Sequence, residues 1–327
     1  MITRRGLIGT GAAAPFVAST LTSAAFAQDF PRRPIQMIVA FPAGGGTDVG
    51  ARVAASIAEK EMGQSVLVVN KAGAGGQLGW TEASRARPDG YTLAFINLPG
   101  MNTIILDPER KALFGLDSFV PLINQVVDAG IIWVKGDSPY RTLGDLVDAA
   151  RKSPGKISAC TTGILSDDHL AILMLNEAAK TDFRIVHFDG GAQQVTALLG
   201  GHVEVAFDNV GGGVVKRIQS GDVRVLAVMD TERSKFLPDV PTMAELGYPS
   251  VISSSSRGIA VPKGTPPAVI KTLEASFAKA MANPEHIKRL EDVGLAVKVM
   301  VGDEYTKYYA EQHAKAKKYT EWALTMR

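Results

Sequence analysis

Short apolar runs alternate with amphipathic stretches along most of this chain. The run "IQMIVAF" predicts a strand, and the stretch after it places Val53, Ala54 and Ile57 on one face of a helix. The same order recurs several times, and "PPAVIKTLEASFAKAMANP" and "DEYTKYYAEQHAKAKKYTEWALTM" predict two late helices. Repeated strand–helix alternation predicts an α/β architecture with mostly parallel sheets.

The pattern also predicts a division into two lobes. A length of 327 residues suits two lobes or one large α/β unit. The run "LINQVVDAGIIWVKG" predicts a strand that is broken near residues 128–130, and the polar tract "SVISSSSRG" comes much later in the chain. We therefore expect the chain to cross between the lobes near residues 125–130 and 250–257.

The first 27 residues predict an export signal. The segment "MITRRGLIGTGAAAPFVASTLTSAAFA" has a basic start, a weakly apolar stretch and an A-x-A sequence, so we expect cleavage between Ala27 and Gln28. The sequence "TRRGLI" is similar to a twin-arginine export signal, and an ordinary secretory signal is the alternative. We therefore expect a periplasmic protein.

Charge and cysteine content further restrict the classes of partner and chemistry that the sequence allows. The chain has 35 basic and 33 acidic residues, and the predicted export signal contains Arg4, Arg5 and no acidic residue. The exported protein is therefore balanced in charge, and its scattered Lys and Arg residues predict no nucleic-acid partner. Cys160 is the single cysteine, which excludes an intrachain disulfide. It is either a small buried hydrophobe or a thiol nucleophile that needs a nearby base.

Glycine-rich loops follow several predicted strands and precede predicted helices, at residues 44–46, 73–76, 161–163 and 189–191. In an open α/β sheet, ligands bind at the carboxyl ends of the strands. Helix N-termini there present unpaired N–H groups that suit an anion, and glycine lets a ligand approach the backbone closely. The alternative is that these glycines only form tight turns.

Familiar catalytic and cofactor motifs are missing from the sequence. The first glycine-rich loop lacks the Lys-Ser/Thr of a phosphate-binding loop, and the chain contains neither G-x-S-x-G nor H-E-x-x-H. The five histidines show no metal-ligand spacing. We therefore predict no catalytic residues, no cofactor and no metal site.

Several polar residues near the loops have two interpretations. Asp48 lies in a predicted first helical turn, where a carboxylate is favourable, and it could also receive a ligand ammonium. In "SDDHL", Ser166 or Asp167 caps a helix, or the group performs acid–base or metal chemistry. Asp208 and Asn209 end a predicted strand, where they either face a cleft or form an Asx turn.

Taken in order, several segments of the chain resemble one known family. The segments are "RRPIQMIVAFPAGGGTDVGARVAA", "GQSVLVVNKAGAGGQLGW", "ARPDGYTLAF", "FDGGAQQVTALLGGHVEVAFDN" and "VRVLAVMDTERSKFLPDVPTMAELGYP". Together they resemble the Bug solute-binding receptors of tripartite tricarboxylate transporters, over essentially the whole exported chain.

The resemblance implies a two-lobed periplasmic binding protein of type II, a Venus flytrap whose lobes are each a mostly parallel sheet flanked by helices. The expected lobes are residues 28–127 plus 254–327 and residues 128–253. The implied function is to capture a small carboxylate between the lobes and to deliver it to the membrane subunits of a transporter. The chain is then a monomer and not an enzyme.

The family pattern also implies a ligand site by position. One carboxylate is held by the loops of the first lobe, largely through backbone groups and ordered water. The implied ligand-binding residues are Phe41, Pro42, Ala43, Gly44, Gly45, Gly46, Thr47, Asp48, Asn97, Leu98, Pro99, Thr161, Thr162, Gly163, His169, Phe188, Gly190, Gly191, Ala192 and Asp208.

Two departures from the family pattern concern the second lobe. The loop "TTGILSDDHL" is less rich in glycine and serine than the family's usual loop, and Phe188 stands where a tyrosine is frequent. The ligand's identity is therefore not implied. Two other functions stay open: a sensor that reports the bound ligand to a signalling partner, and an exported α/β hydrolase or isomerase. The latter needs a nucleophile–base pair, for which the sequence shows no recognisable spacing.

Overall fold

The computed structural model describes residues 30–326, so the predicted export signal lies outside the described residues. The sequence's α/β pattern is confirmed, because strands and helices alternate along most of the chain. The strands are β1 (Ile35–Val39), β2 (Val66–Asn70), β3 (Thr92–Leu98), β4 (Phe119–Lys135), β5 (Ser158–Thr161), β6 (Arg184–His187), β7 (Val205–Asn209), β8 (Val223–Met229), β9 (Ser254–Pro262) and β10 (Val297–Val301).

The helices cover the sheets, and the sequence did not predict two of them, at residues 100–106 and 284–291. None of the helices within residues 30–326 is long and apolar enough to cross a membrane. The helices are α1 (Gly46–Met62), α2 (Gln77–Ser84), α3 (Gly100–Leu106), α4 (Leu143–Lys152), α5 (Asp167–Ala179), α6 (Gly191–Leu199), α7 (Val214–Gln219), α8 (Pro267–Ala282), α9 (Pro284–Glu291) and α10 (Asp303–Leu324).

The strands form two lobes. In the first lobe, β2, β1 and β3 are parallel neighbours, and β9, β4 and β10 continue the sheet with antiparallel pairings. In the second lobe, β6, β5 and β7 are parallel neighbours, and β4 pairs antiparallel with β7 and β8. The parallel strands carry the predicted site loops. Every antiparallel pair within the described strands involves β4 or β9, the strands at the junction of the lobes.

Strand β4 belongs to both lobes. Its residues from Phe119 to Ala129 pair with β9, whereas those from Gly130 to Lys135 pair with β7 and β8. The predicted break near residues 128–130 is therefore wrong, because the strand runs on without interruption while its partners change. The ladder continues since the N–H of Gly130 donates to the carbonyl of Ser253, 2.8 Å away.

Each lobe has its own core. In the first lobe, Ala54 and Ile57 of the predicted apolar face of α1 are buried between the sheet and helix α8. Val53, on the same face, is buried in a smaller cluster with Val126 of β4 and Leu290 of α9. On the other face of that sheet lies Trp80, which is fully buried and whose Nε1 donates to the carbonyl of Phe95 at 3.1 Å. The second lobe packs α4 and α5 on one face of its sheet and α6 and α7 on the other. Burying both faces of each sheet leaves the strand ends as the place where loops are accessible.

Candidate functional site

A cleft lies between the two lobes at the carboxyl ends of the parallel strands. It holds about 740 Å³ of empty space, including its opening to solvent. Both lobes contribute loops that follow their strands, as expected for an α/β ligand site. Its lining consists of Phe41, Pro42, Gly45, Gly46, Thr47, Gly75, Asn97, Gly100, Thr103, Ile104, Thr162, Gly163, Ile164, Ser166, Asp167, Gly190, Gly191, Asp208, Asn209, Ser255 and Arg257.

The N-terminus of α1 opens into this cleft. Gly45 is its N-cap and provides no side-chain cap, and the first backbone bond of the helix runs from the N–H of Val49 to the carbonyl of Gly45. The N–H groups of the first turn consequently have no partner within the helix. A helix end without a capping side chain, facing a cleft, provides donors and a partial positive charge for an anion.

A second helix end faces the first from the other lobe. The N-cap of α6 is Gly190, again without a side-chain cap. A Cβ on Gly45 would lie 3.9 Å from the backbone nitrogen of Ala192 and 4.0 Å from that of Gly191. The positive ends of α1 and α6 therefore meet at the same place. Two such ends in contact favour a negative charge between or beside them.

Asp48 holds the first glycine-rich loop from behind. Its carboxylate accepts hydrogen bonds from the N–H of Gly44 at 3.0 Å, from Nε of Arg52 at 3.0 Å and from Nδ2 of Asn70 at 2.8 Å. Burial alone would raise the pKa of Asp48, but these hydrogen bonds from Arg52, Gly44 and Asn70 hold it below its usual value. The residue does not line the cleft. Its geometry fits positioning of the loop better than contact with a ligand.

Asn97 joins the end of β3 to the first turn of α1. Its Nδ2 donates to Oγ1 of Thr47 at 2.8 Å, and both side chains line the cleft. The Oδ1 of Asn97 is buried and accepts no hydrogen bond from the described residues. A buried acceptor without a partner is costly, so this oxygen is available to a hydrogen-bond donor in the cleft.

The second lobe contributes a cluster of buried aspartates. Asp168 accepts from the N–H of Thr162 at 3.1 Å and from its Oγ1 at 2.6 Å, which holds the loop after β5 in place. Asp167 accepts from Nδ2 of Asn209 at 2.9 Å. Burial raises the pKa of Asp167, and burial together with the charges of Asp167 and Asp208 raises the pKa of Asp168 well above its usual value.

Asp208 brings the acidic cluster to the cleft itself. Its Oδ1 accepts from the N–H of Asn209 at 2.8 Å, and a Cβ on Gly191 would lie 3.5 Å from its Oδ2. Asp208 thus lies beneath the N-terminus of α6. Burial raises the pKa of Asp208 to about 7, with further raising by the charges of Asp128 and Asp167. Burial therefore favours the protonated form of Asp208. No set of three or more His, Cys, Asp or Glu side chains within residues 30–326 is suited to hold a metal ion.

Arg257 and Asp128 form a buried ion pair at the junction of the lobes. Nη2 of Arg257 lies 2.9 Å from Oδ2 of Asp128, and both side chains are almost fully buried. The N–H of Gly211 donates to both oxygens of Asp128, at 3.1 and 3.2 Å. Burial raises the pKa of Asp128 to about 6, although Arg257 and Gly211 oppose the shift. Sequence reasoning missed both residues, because Arg257 lies at the end of the tract expected to connect the lobes and Asp128 lies where a strand break was expected.

More than half of the residues predicted to bind ligand line the cleft. The rest are not among the lining residues, and direct ligand contact by any of the predicted residues stays a prediction. The predicted residues that line the cleft are Phe41, Pro42, Gly45, Gly46, Thr47, Asn97, Thr162, Gly163, Gly190, Gly191 and Asp208, and the remaining ones are Ala43, Gly44, Asp48, Leu98, Pro99, Thr161, His169, Phe188 and Ala192.

Most of the side chains for which the sequence left two interpretations have structural roles. Ser166 caps α5, because its Oγ accepts from the N–H of His169 at 3.2 Å. Nδ1 of His169 in turn accepts from the N–H of Leu165 at 2.9 Å. Phe188 lines a separate surface groove next to the cleft. Cys160 is fully buried, and burial raises the pKa of its thiol, so it has the environment of a small hydrophobe rather than a nucleophile.

Hydrogen bonds hold the lobes in contact around the cleft. Oγ1 of Thr103 donates to the carbonyl of Leu165 at 2.9 Å, and Nη2 of Arg257 donates to Oδ1 of Asn209 at 3.1 Å. Contacts of this kind exist only while the lobes are together, so they contribute to the free energy of the closed arrangement.

The two α/β lobes, the strands that cross between them and the enclosed cleft define a solute-binding protein of the periplasmic type. Residues 50–322 match the model of the tripartite tricarboxylate transporter family receptor, and the chain belongs to that family. The family resemblance predicted from the sequence is thereby confirmed.

Individual relatives support this assignment, and the alignment with each of them covers most of its length. The chain is 31% identical over 304 residues to protein BugT of Bordetella pertussis, an alignment that covers 92% of this chain and 90% of BugT. It is similar to the structure of the periplasmic binding protein BugD, with 31% identity, a TM-score of 0.84, and coverage of 90% of this chain and 98% of BugD. MatC from Rhodopseudomonas palustris, solved with bound malate, has 26% identity, a TM-score of 0.82, and coverage of 89% and 100%.

Proposed function

We propose that this receptor captures a small carboxylate between its lobes and delivers it to the membrane subunits of a tripartite tricarboxylate-type transporter. The observation that carries the proposal is the meeting of two glycine-capped helix N-termini, those of α1 and α6, in one cleft. Delivery to the transporter is supported by family membership, and the carboxylate is further supported by the malate in MatC.

The binding cycle follows from where the donors lie. With the lobes apart, a carboxylate binds first to the N–H groups at residues 46–48 of α1. Closure then brings the N–H groups of Gly191 and Ala192 toward it and forms the bonds between Thr103 and Leu165 across the cleft. The ligand stabilises closure only by as much as it binds the closed arrangement more tightly than the open one.

Other residues around the cleft have a supporting role in this proposal. Asp48 and Asp168 hold the two loops, while Asn97 offers its unpartnered Oδ1 to a donor group of the ligand. Nothing in this arrangement requires the ligand to be chemically changed. We propose accordingly that the protein binds without catalysis, needs no cofactor and acts as a monomer.

The lobe boundaries and the export route complete the proposal. We place the first lobe at residues 28–127 plus 254–327 and the second at residues 128–253. The change of partners along β4 between Ala129 and Gly130, and the start of β9 at Ser254, support these limits. Export to the periplasm through the twin-arginine route, with cleavage between Ala27 and Gln28, is supported by the sequence. Replacing Arg4 and Arg5 by Lys should block that export.

Calorimetry with a panel of small carboxylates tests the proposed function. The protein is unfolded and refolded to remove any ligand that co-purifies, and is then titrated with mono-, di- and tricarboxylates. At a hundredfold excess over its dissociation constant, a true ligand stabilises the protein by about 2.7 kcal/mol. The melting temperature then rises by roughly 2–5 °C. Nuclear magnetic resonance should recover the ligand unchanged. If no carboxylate in the panel binds the refolded protein, the proposed function is wrong.

A further inference from the structure

Arg257 is a buried arginine whose guanidinium reaches the N-terminal end of α1. It lies on β9, and among residues 30–326 the guanidinium has partners only at Nη2, which are Asp128 and Asn209. A Cβ on Gly46 would lie 2.9 Å from its Nη1. The guanidinium therefore stands beside the first helical turn that the proposed function assigns to the ligand carboxylate.

Two of the three guanidinium nitrogens have no partner in the part of the chain that the structure describes. Nε and Nη1 of Arg257 are buried and make no hydrogen bond to any described residue. A guanidinium carries five N–H donors, and buried donors in proteins are nearly always paired. Arg257 lines the cleft, so the acceptor that its donors need can come from a ligand.

The position of Nη1 also concentrates positive potential in one place. The N-terminus of α1 carries a partial positive charge, and α6 presents a second one across the cleft. A guanidinium beside these ends is stabilised when an anion lies among the three groups. The carbonyl of Gly211 would lie 2.7 Å from the same Cβ on Gly46, yet it accepts nothing from Nε or Nη1.

A structural ion pair with Asp128 does not by itself account for this geometry. Nη2 alone provides that pair, at 2.9 Å, and the N–H of Gly211 also satisfies Asp128. An arginine used only for pairing leaves Nε and Nη1 buried without acceptors, which is costly. Asp167 and Asp208 line the same cleft, and neither forms an ion pair with Arg257 in the described part of the chain.

We propose that Arg257 is a specificity-determining residue, which binds an ionised carboxylate of the ligand together with the first-turn N–H groups of α1. The inference rests on the proposed function and adds a requirement to it: this end of the ligand must carry a full negative charge. An arginine gives a carboxylate charge-assisted hydrogen bonds that a neutral amide cannot match. The cleft therefore selects carboxylates over amides of the same shape.

The selection for charge is what the experiment measures. The parent protein is titrated with acetate, succinate, L-malate, adipate, citrate and L-aspartate, and the tightest ligand is compared with the analogue whose carboxylates are all primary amides. We expect the parent to bind the carboxylate about 10- to 100-fold more tightly than the amide. In Arg257→Gln the affinity for the carboxylate should fall by that factor, while the affinity for the amide should hardly change.

Two further variants separate ligand contact from a structural role. Arg257→Gln leaves Asp128 buried without its partner, so the double variant Arg257→Gln/Asp128→Asn keeps the junction neutral and should show the same loss of selection. Arg224→Gln is the matched control. Arg224 lies in the second lobe and donates to the carbonyls of Gly136, Ser138 and Tyr140. Its removal should change stability but not the ratio of the two affinities.

The outcomes distinguish this inference from the function on which it rests. Equal losses for carboxylate and amide in Arg257→Gln and in the double variant would show that Arg257 only shapes the junction. An unchanged preference for the carboxylate in both variants would also overturn the inference, while leaving the carboxylate receptor intact. Failure of the parent to bind any carboxylate would instead contradict the proposed function itself.

Discussion

Gly190 of the second lobe lies directly against Pro42 of the first. A Cβ on Gly190 would be 2.9 Å from Cδ of Pro42, closer than side chains normally approach. The backbone of Gly190 is extended, with φ of 174°, so any residue can adopt its conformation. The absence of a side chain at this position is therefore a requirement of lobe contact rather than of local folding.

Gly190→Ala should weaken ligand binding without unfolding the protein. The added methyl group collides with Pro42 only when the lobes touch, and such overpacking costs about 1–3 kcal/mol, or roughly 5- to 150-fold in affinity. Calorimetry measures the affinity, and small-angle X-ray scattering should show a more open average shape. Gly144 lies on the surface of α4, where an added Cβ would be 3.5 Å from Oγ1 of Thr142. Gly144→Ala is therefore the control variant, which should bind the ligand normally. Full affinity in Gly190→Ala would show that closure tolerates the methyl group.

Gly45→Val should remove ligand binding while the apo protein keeps its melting temperature. With φ of −81°, Gly45 has a backbone conformation that is open to all residues, whereas its neighbour Gly44 has a positive φ of 87°. No heavy atom lies closer than 3.9 Å to a Cβ at Gly45, which leaves room for folding. The isopropyl group would instead occupy the space beside the two helix ends. Normal affinity in a well-folded variant would exclude this loop from the site.

Asp48→Asn should destabilise the protein at neutral pH and much less in acid. The pKa of Asp48 is held below its usual value in the folded state, so its carboxylate contributes stability at pH values above that usual value. The contribution is lost as the pH falls through the folded-state pKa. We expect about 1–3 kcal/mol less stability at pH 7 in urea unfolding, since the lost bonds are to a charged group. A difference from the parent that is as large at pH 2.5 as at pH 7 would contradict this role.

Asp208→Asn should reduce the stability that the protein loses as the pH rises, whereas Asp48 concerns the stability that it loses as the pH falls. The pKa of Asp208 is raised to about 7 in the folded state, so the native protein holds a proton there that the unfolded chain releases near pH 4. The parent therefore loses stability as the pH rises from about 4 to 7. The variant has no such proton and should lose less. Urea unfolding of both proteins at pH 5 and pH 8 measures the difference, and identical losses would rule out Asp208 as the titrating group.

Cys160 should be unreactive until the protein unfolds. Its thiol is fully buried and its pKa is raised by burial and by the charges of Asp208 and Asp168, so little thiolate exists near neutral pH. We expect labelling by Ellman's reagent to follow the rate of unfolding in guanidinium chloride and to be negligible in buffer. Rapid labelling of the folded protein would instead revive the nucleophile interpretation.

The parts of the fold that the sequence predicts are those with long local patterns. Helix α1 was predicted because its apolar residues repeat with helical spacing, and its glycine-rich start pointed to the site. Helix α3, with seven residues, and α9, with eight, are too short to show such a repeat. The serines that begin β9 were predicted as a connection. They form a strand because all three pair with β4 and Ser256 also pairs with β3, which local preference does not reveal.

The candidate site likewise has residues that the sequence reveals and residues that it does not. The glycines of α1 and α6 are visible in the sequence because a loop of bare backbone before a helix has a recognisable composition. Arg257 and Asp128 are not visible, because each is unremarkable in its own segment and their pairing depends on β4 and β9 lying side by side. Long-range pairs of this kind are fixed by tertiary packing, and only the structure brings them together.

The course of strand β4 also determines whether one lobe can be excised or exchanged without the other. Because its first part completes one sheet and its second part the other, any cut through it removes a strand from the edge or interior of both. Neither lobe is thus a self-contained module that can be excised or exchanged with that of a relative. A chimaera must inherit the whole strand from one parent together with the residues of β7, β8 and β9 that pair with it, so recombination between family members is expected to succeed only at junctions outside this strand.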